Sequence, residues 1–267
     1  MTWIYAFPSW VFAPAAVAVF CAIAAGGLLL VRRYGKAERI THNDVAGPIV
    51  GTAGTILAVV LSFMVVVVWQ EYDASAGNVQ REASAMADLH HLALGLPGPL
   101  RAGLQRDLDR YADLIVNDEW PLMQHGGRSL QAHQLAYAIE RDLVTYDPPT
   151  AHLEALQAQA VRLVETFADA RRQRLFDNDQ GIPPLMWLAM LTLSAITIAF
   201  TYLFRVDNAR AHLFMTVGLS AIVAVIFVLI AELDYPFRGD IRIAPDAFVH
   251  VQATIHESGY DPAKGDL

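Results

Sequence analysis

The chain is short of several things, and each shortage removes a class of protein. It has one cysteine, Cys21, so no disulfide can form within it. Cations are in deficit, with 19 Lys and Arg against 27 Asp and Glu and a formal net charge of −8. A nucleic-acid partner is therefore not expected, because phosphate binding needs clustered cations. No G-x-S-x-G, P-loop, G-x-G-x-x-G or HExxH pattern occurs, so nothing recommends an enzyme and no catalytic residue is assigned. The acidic run DLDRYADL (107–114) reads as a solvated helix face rather than a paired acid and base. His90 and His91 are neighbours, so on a helix they point in different directions and cannot pinch one ion. His125, His133 and His152 are scattered and lack cysteine partners. No metal and no cofactor is expected, and no Asp-rich loop suggests calcium control.

Asp, Glu, Lys and Arg are also missing from four long stretches, and here the absence is positive information. Residues 11–31, 46–69, 184–204 and 213–231 are apolar and long enough to cross a bilayer, which takes about 20 residues. The composition agrees, at 55% hydrophobic with a mean hydropathy of +0.34. The leading MTWIYAFPSW has no basic residue, and the run after it is too long for a signal peptide, so the first stretch reads as a retained span. The expected layout is a transmembrane hairpin (1–69), an acidic helical insert (70–181), a second hairpin (182–233) and an extramembrane tail (234–267).

Sidedness follows from the short loops, 32–45 and 205–212, which carry Arg32, Arg33, Lys36, Arg39, Arg205 and Arg210. The positive-inside rule makes both loops cytoplasmic, with the insert and both ends periplasmic in a multi-pass protein of a bacterial inner membrane. Arg171, Arg172 and Arg174 before the third span, and Arg238 and Arg242 after the fourth, pull the other way.

The insert reads as helical, since its apolar residues recur at three and four. GLPGP (95–99) breaks the chain, and Pro99 suits the first position of a new helix. NDEWP (117–121) and HGGR (125–128) bracket an irregular segment, and YDPPT (146–150) is a stop with Thr150 as N-cap. A long helix then runs to DNDQGIPP, where Gly181 can close it. The insert holds 17 acidic and 10 basic residues, so its surface is acidic.

One stripe runs through the second span at steps of three and four: Gly47, Gly51, Gly54, Ala58, Leu61, Val65, Val68 and Tyr72. It keeps phase past Trp69 through Ala76, Val79, Ala83 and Met86, which predicts one unbroken helix from about residue 44 to about residue 94. Asn43 or Asp44 can cap its start. The stripe has two readings. Small residues let helices pack closely. Alternatively, several copies surround an axis, with Leu61, Val65 and Val68 as an apolar neck that gates by dewetting. Glu71, Asp73, Glu232 and Asp234 follow the second and fourth spans and are candidate pore-mouth charges, or ordinary interfacial residues. Ser194, Thr197 and Thr201 share a face of the third span and are expected to hydrogen-bond across helices. Arg238 and Arg242 can pair with the acidic insert or sit at lipid phosphates as interfacial anchors, and the favoured reading is that the tail clamps the insert, its own or a neighbouring subunit's.

HNDVAGPIVGTAGTILAVVLSFMVVVVWQEYDAS (42–75), DEWP (118–121), ARRQRL (170–175), GIPPLMW (181–187) and DYPFRGDIRIAPDAF (234–248) are similar to blocks of the bacterial bestrophin-like membrane proteins. The resemblance implies a bestrophin-like, all-α membrane fold: four spans, a helical domain between the second and third, and a pore lined by the second span. It further implies a homo-oligomeric ion channel, a pentamer, whose partners are membrane lipid, copies of itself and inorganic ions. Two departures stand out. Bestrophin necks use bulkier residues than Leu61, Val65 and Val68, and bestrophin helical domains are cytoplasmic. The acidic insert favours cations by electrostatics, while many bestrophins pass anions. The alternative is a non-conducting membrane-anchored sensor or scaffold whose insert binds a partner.

Overall fold

The structure, a computed structural model, describes residues 5, 7–34, 43–204 and 206–257. Lys36, Arg39 and Arg205, three of the loop cations used for sidedness, lie outside them. So do the side chains of Asn43 and Asp44, the expected caps. Among the described residues every regular element is helical. The chain divides into two units.

The first unit comprises Met1–Glu71, Gly181–Asp234 and Gly239–Ile241. It holds α1 (Ser9–Tyr34), the apolar part of α2 (Asn43–Leu92), α7 (Pro184–Thr201) and α8 (Ala209–Leu233). All four helices are long and apolar enough to span a membrane. Large apolar side chains point outward, among them Trp10, Phe63, Leu185 and Phe214. That inversion suits a solvent as apolar as the side chains themselves. Helices α1 and α8 pack most extensively, through Ala24, Leu28 and the ring pair Phe20–Phe227 at 5.5 Å. Gly27 permits a close approach, since a Cβ there would stand 2.7 Å from the Tyr202 hydroxyl.

The hydroxyls of α7 differ from expectation. Ser194 and Thr197 donate back to the carbonyls of Met190 and Leu193, both at 2.8 Å, and so satisfy themselves within their own helix. Thr201 also donates to its own helix, at Ile198, but lies 3.5 Å from the Thr216 hydroxyl on α8.

The second unit comprises Tyr72–Gln180, Tyr235–Arg238 and Arg242–Leu267. It holds the polar part of α2, α3 (Gly98–Leu114), a π-helical turn (Ile115–Glu119), α4 (Trp120–Met123), α5 (Leu130–Thr145), α6 (Ala151–Asp179) and α9 (Asp246–Glu257). The caps explain the boundaries. Ser129 accepts from the Ala132 amide and starts α5, and Thr150 accepts from the Leu153 amide and starts α6. Pro99 occupies the second position of α3 rather than the first. Helix α6 ends on Gln180 in an extended conformation, not on a left-handed Gly181.

The core of this unit joins Val79, Met86 and Leu89 of α2 to Leu108, Tyr111, Ile139 and Phe167. The tail closes it. Phe248 packs on Trp120 at 5.9 Å, and the Trp120 indole N–H donates to the Ile243 carbonyl at 3.0 Å. The tail therefore clamps the insert of its own chain. Arg238 pairs with no carboxylate among the described residues. It donates to the Asn178 carbonyl at 2.7 Å, at the negative end of the α6 dipole.

Candidate functional site

Helix α2 is a single α-helix of 50 residues, as the unbroken phase of its stripe predicts. At 1.5 Å per residue it is roughly 75 Å long, more than twice the thickness of a bilayer's hydrocarbon core. Its apolar part is half-buried at Gly47, Gly54 and Val65 and exposed at Gly51 and Ala58. Leu61 and Val68 are buried within the first unit, at 1% and 0% exposure, together with Leu57 and Met64. So the stripe turns into its own unit partway along. On its accessible side an open edge remains, where Gly51 and Ala58 of the stripe are joined by Thr55, Ser62 and Val66, each one residue step from a stripe position. Thr52 and Thr55 donate to the carbonyls of Pro48 and Gly51, both at 2.9 Å, and so present only lone pairs outward. Tyr72 is half-buried.

The four candidate mouth carboxylates fall into two kinds. Glu71 and Asp73 are exposed. Glu232 and Asp234 are buried and hydrogen-bonded: Glu232 accepts from the Ser9 hydroxyl at 2.8 Å, and Asp234 from the Ile182 amide at 2.5 Å. Burial pushes the Asp234 carboxyl up to about 6, with the Glu71 charge adding to the rise and the Ile182 bond opposing it.

The second unit contains a charge cluster that the sequence reading missed. Glu82 on α2, Glu119 on the π-turn, and Arg171 and Arg174 on α6 are all buried, with Tyr111 beside them. Arg174 donates to Glu82 at 2.7 and 3.0 Å and to Glu119 at 2.8 Å. Arg171 forks onto both oxygens of Glu119 at 2.8 Å and reaches the Tyr111 hydroxyl at 2.7 Å. Tyr111 in turn donates to Glu82. Local geometry assembles the cluster. Arg171 and Arg174 are three apart on α6 and so share a face. The π-turn inserts one extra residue, which rotates Glu119 inward beside buried Ile115.

Two carboxylates and two guanidiniums cancel, so the buried set is formally neutral. Burial alone would raise Glu119, but the two arginines outweigh it and hold its carboxyl below the usual range. Burial first, then the Glu82 charge, raises the Tyr111 phenol well above its ordinary value, which keeps it a donor at any physiological pH. The cluster ties α2 to α6 and supplies no nucleophile. The sequence reading had counted Arg171 and Arg174 as loop cations beside the third span. Both are instead buried and paired within the second unit. His90 is buried, and its ring stands at 80° to that of exposed His91, so the two do not converge.

Four bilayer-length helices, with a helical insert between the second and third that begins on an extension of the second, define a class of α-helical membrane protein. Residues 18–248 match the model of the bestrophin-like domain, most of the chain, and the protein belongs to that family. Its fold is similar to that of a bacterial bestrophin homolog from Klebsiella pneumoniae, solved by Zn-SAD phasing. The TM-score is 0.67 at 11% identity, covering 94% of this chain and 99% of that one. A single-substitution variant of that homolog gives 0.67 at 10% identity over the same shares. A structure described as a membrane protein gives 0.68 at 10% identity, covering 90% of this chain and 96% of the other. No curated protein matches the chain in sequence.

Proposed function

We propose that the chain forms a homo-oligomeric ion channel, a pentamer, whose pore is lined by the membrane part of α2. Membership of the bestrophin-like family carries the reading, and the unbroken α2 supports it. The lumen edge combines the half of the predicted stripe that stays accessible with the open edge beside it. It comprises Gly51, Thr55, Ala58 and Ser62, narrowing at Val65 and Val66 to an apolar neck. Leu61 and Val68 pack behind that neck instead of lining it. Outward hydroxyl lone pairs and exposed Glu71 and Asp73 make cations the preferred ions. The short basic loops are cytoplasmic, and the insert and both termini lie on the periplasmic side of an inner membrane.

Ion flux from liposomes tests the proposal. Purified protein should release potassium faster than chloride, and Val66→Ser should raise the rate while Leu61→Ala leaves ion preference unchanged. Flux at the lipid background in wild type and Val66→Ser alike sinks it. The burial of Leu61 and Val68 would then be plain packing, and the scaffold reading stands. Labelling of single cysteines in the insert, in a Cys21→Ala background, decides sidedness: labelling only after lysis of the inner membrane rejects the periplasmic placement.

A further inference from the structure

In the second unit, the start of α5 and the end of α6 enclose a groove of about 400 Å³, the size of a small-molecule site. Its lining carries both signs, with Arg128 and Arg172 as cations and Glu140 and Asp179 as carboxylates. Arg128 is exposed and forms no ion pair among the described residues, whereas Arg172 is tied on the surface to Asp169. Arg171 also lines the groove. It is 4% exposed, and its Nε has no hydrogen-bond partner. Tyr137 and Phe176 face the same space at 64% and 53% exposure. Two open rings beside an unpaired cation and an orphaned buried N–H are more than a solvated surface requires.

Chain connectivity indicates what fills it. Asp179 ends α6 and Pro184 begins the span α7. Five residue steps of at most about 3.6 Å keep those two points within about 18 Å. Aromatic rings with a polar edge are what the headgroup layer of a bilayer selects. A purely anionic ligand would satisfy the arginines and oppose the carboxylates. A ligand with a phosphate and an ammonium, one bond chain apart, satisfies both.

We propose that this groove binds the headgroup of a phosphatidylethanolamine-type lipid. The phosphate sits on Arg128 and Arg172, the ammonium N–H groups donate to Glu140 and Asp179, and Tyr137 and Phe176 cover the glycerol and first acyl carbons. A choline headgroup carries the same charges without N–H donors and is discriminated against on that ground. The inference does not depend on conduction.

Native mass spectrometry of the full-length protein in detergent tests it, with phosphatidylethanolamine and phosphatidylcholine titrated separately. The ethanolamine lipid should be retained roughly tenfold more tightly, the worth of one charge-assisted hydrogen bond. Glu140→Gln should reduce its retention to the choline level and Arg128→Gln should weaken retention of both lipids, with subunit number and Tm unchanged. Soluble phosphoethanolamine at matched concentration should not displace it. Equal retention of the two lipids, or wild-type retention in both variants, overturns the proposal. Displacement by soluble phosphoethanolamine overturns it in favour of a soluble ligand. A changed subunit number in Arg128→Gln overturns it in favour of a contact between copies.

Discussion

Arg174→Met is the most informative single substitution. Arg174 is fully buried and donates to both buried carboxylates. After its loss, Glu119 keeps its fork from Arg171, but Glu82 retains only the Tyr111 hydroxyl and a distant Arg171 at 3.9 Å. A buried charge stripped of its partner costs about 3–5 kcal/mol. In a domain of this size each kcal/mol lowers Tm by about 2–4 °C, so a fall of roughly 6–20 °C is expected by intrinsic fluorescence in detergent. Adding Glu82→Met removes the stranded charge and leaves the neutral Arg171–Glu119 pair. The double variant should therefore recover at least half of the loss, since replacing a buried pair by apolar side chains is often close to neutral. A fall below about 2 °C in the single variant, or a double variant as unstable as the sum of its parts, would refute the account of a mutually neutralising cluster.

Three further outcomes follow from the geometry. Asp234 has its carboxyl raised from an ordinary 3.8 to about 6, so the folded state binds the proton more tightly than the unfolded. The contribution of this carboxyl to stability is then greatest below about pH 4, falls as pH rises to about 6, and is level above, a loss on the order of 3 kcal/mol. Asp234→Asn should flatten the Tm profile across that window, and a wild-type-like slope in the variant would contradict the assignment. Gly126 sits at φ +76°, and a Cβ there would stand 2.9 Å from Arg238 Nη2. Gly126→Ala should cost about 1–2 kcal/mol by thermal unfolding, whereas Gly103→Ala, mid-helix with nothing within 4 Å, should stabilise by up to about 1 kcal/mol. Trp120→Phe should cost about 1 kcal/mol by removing the bond to the Ile243 carbonyl while keeping the ring contacts, read as earlier proteolysis of the tail.

The spans and the continuity of α2 were legible because length, hydropathy and helical phase are properties of a single segment. Thr150 caps its helix locally and follows the same logic, whereas the Ser129 cap was not read. What escaped depended on partners distant in sequence. ARRQRL has the look of loop cations until Glu82, some ninety residues earlier, is brought against it. Nothing in NDE announces a π-turn, yet that turn is what aims Glu119 inward. The continuity of α2 was read from its stripe, but which residues of that stripe face their own unit was set by neighbouring helices. Leu61 and Val68 are as apolar as a neck requires and as apolar as a core requires, so composition does not separate the two.

Helix α2 has one more consequence, and it concerns torsion. Its backbone hydrogen bonds lock every residue to the residue four places back, so angular position is shared along its whole length. Glu82 is held in azimuth by Arg174 and Tyr111, and Ser62 lies twenty residues upstream on the same backbone. The helix that the buried cluster grips is thus the same helix that carries the open hydroxyl edge, and any change at the one is a change to the backbone of the other.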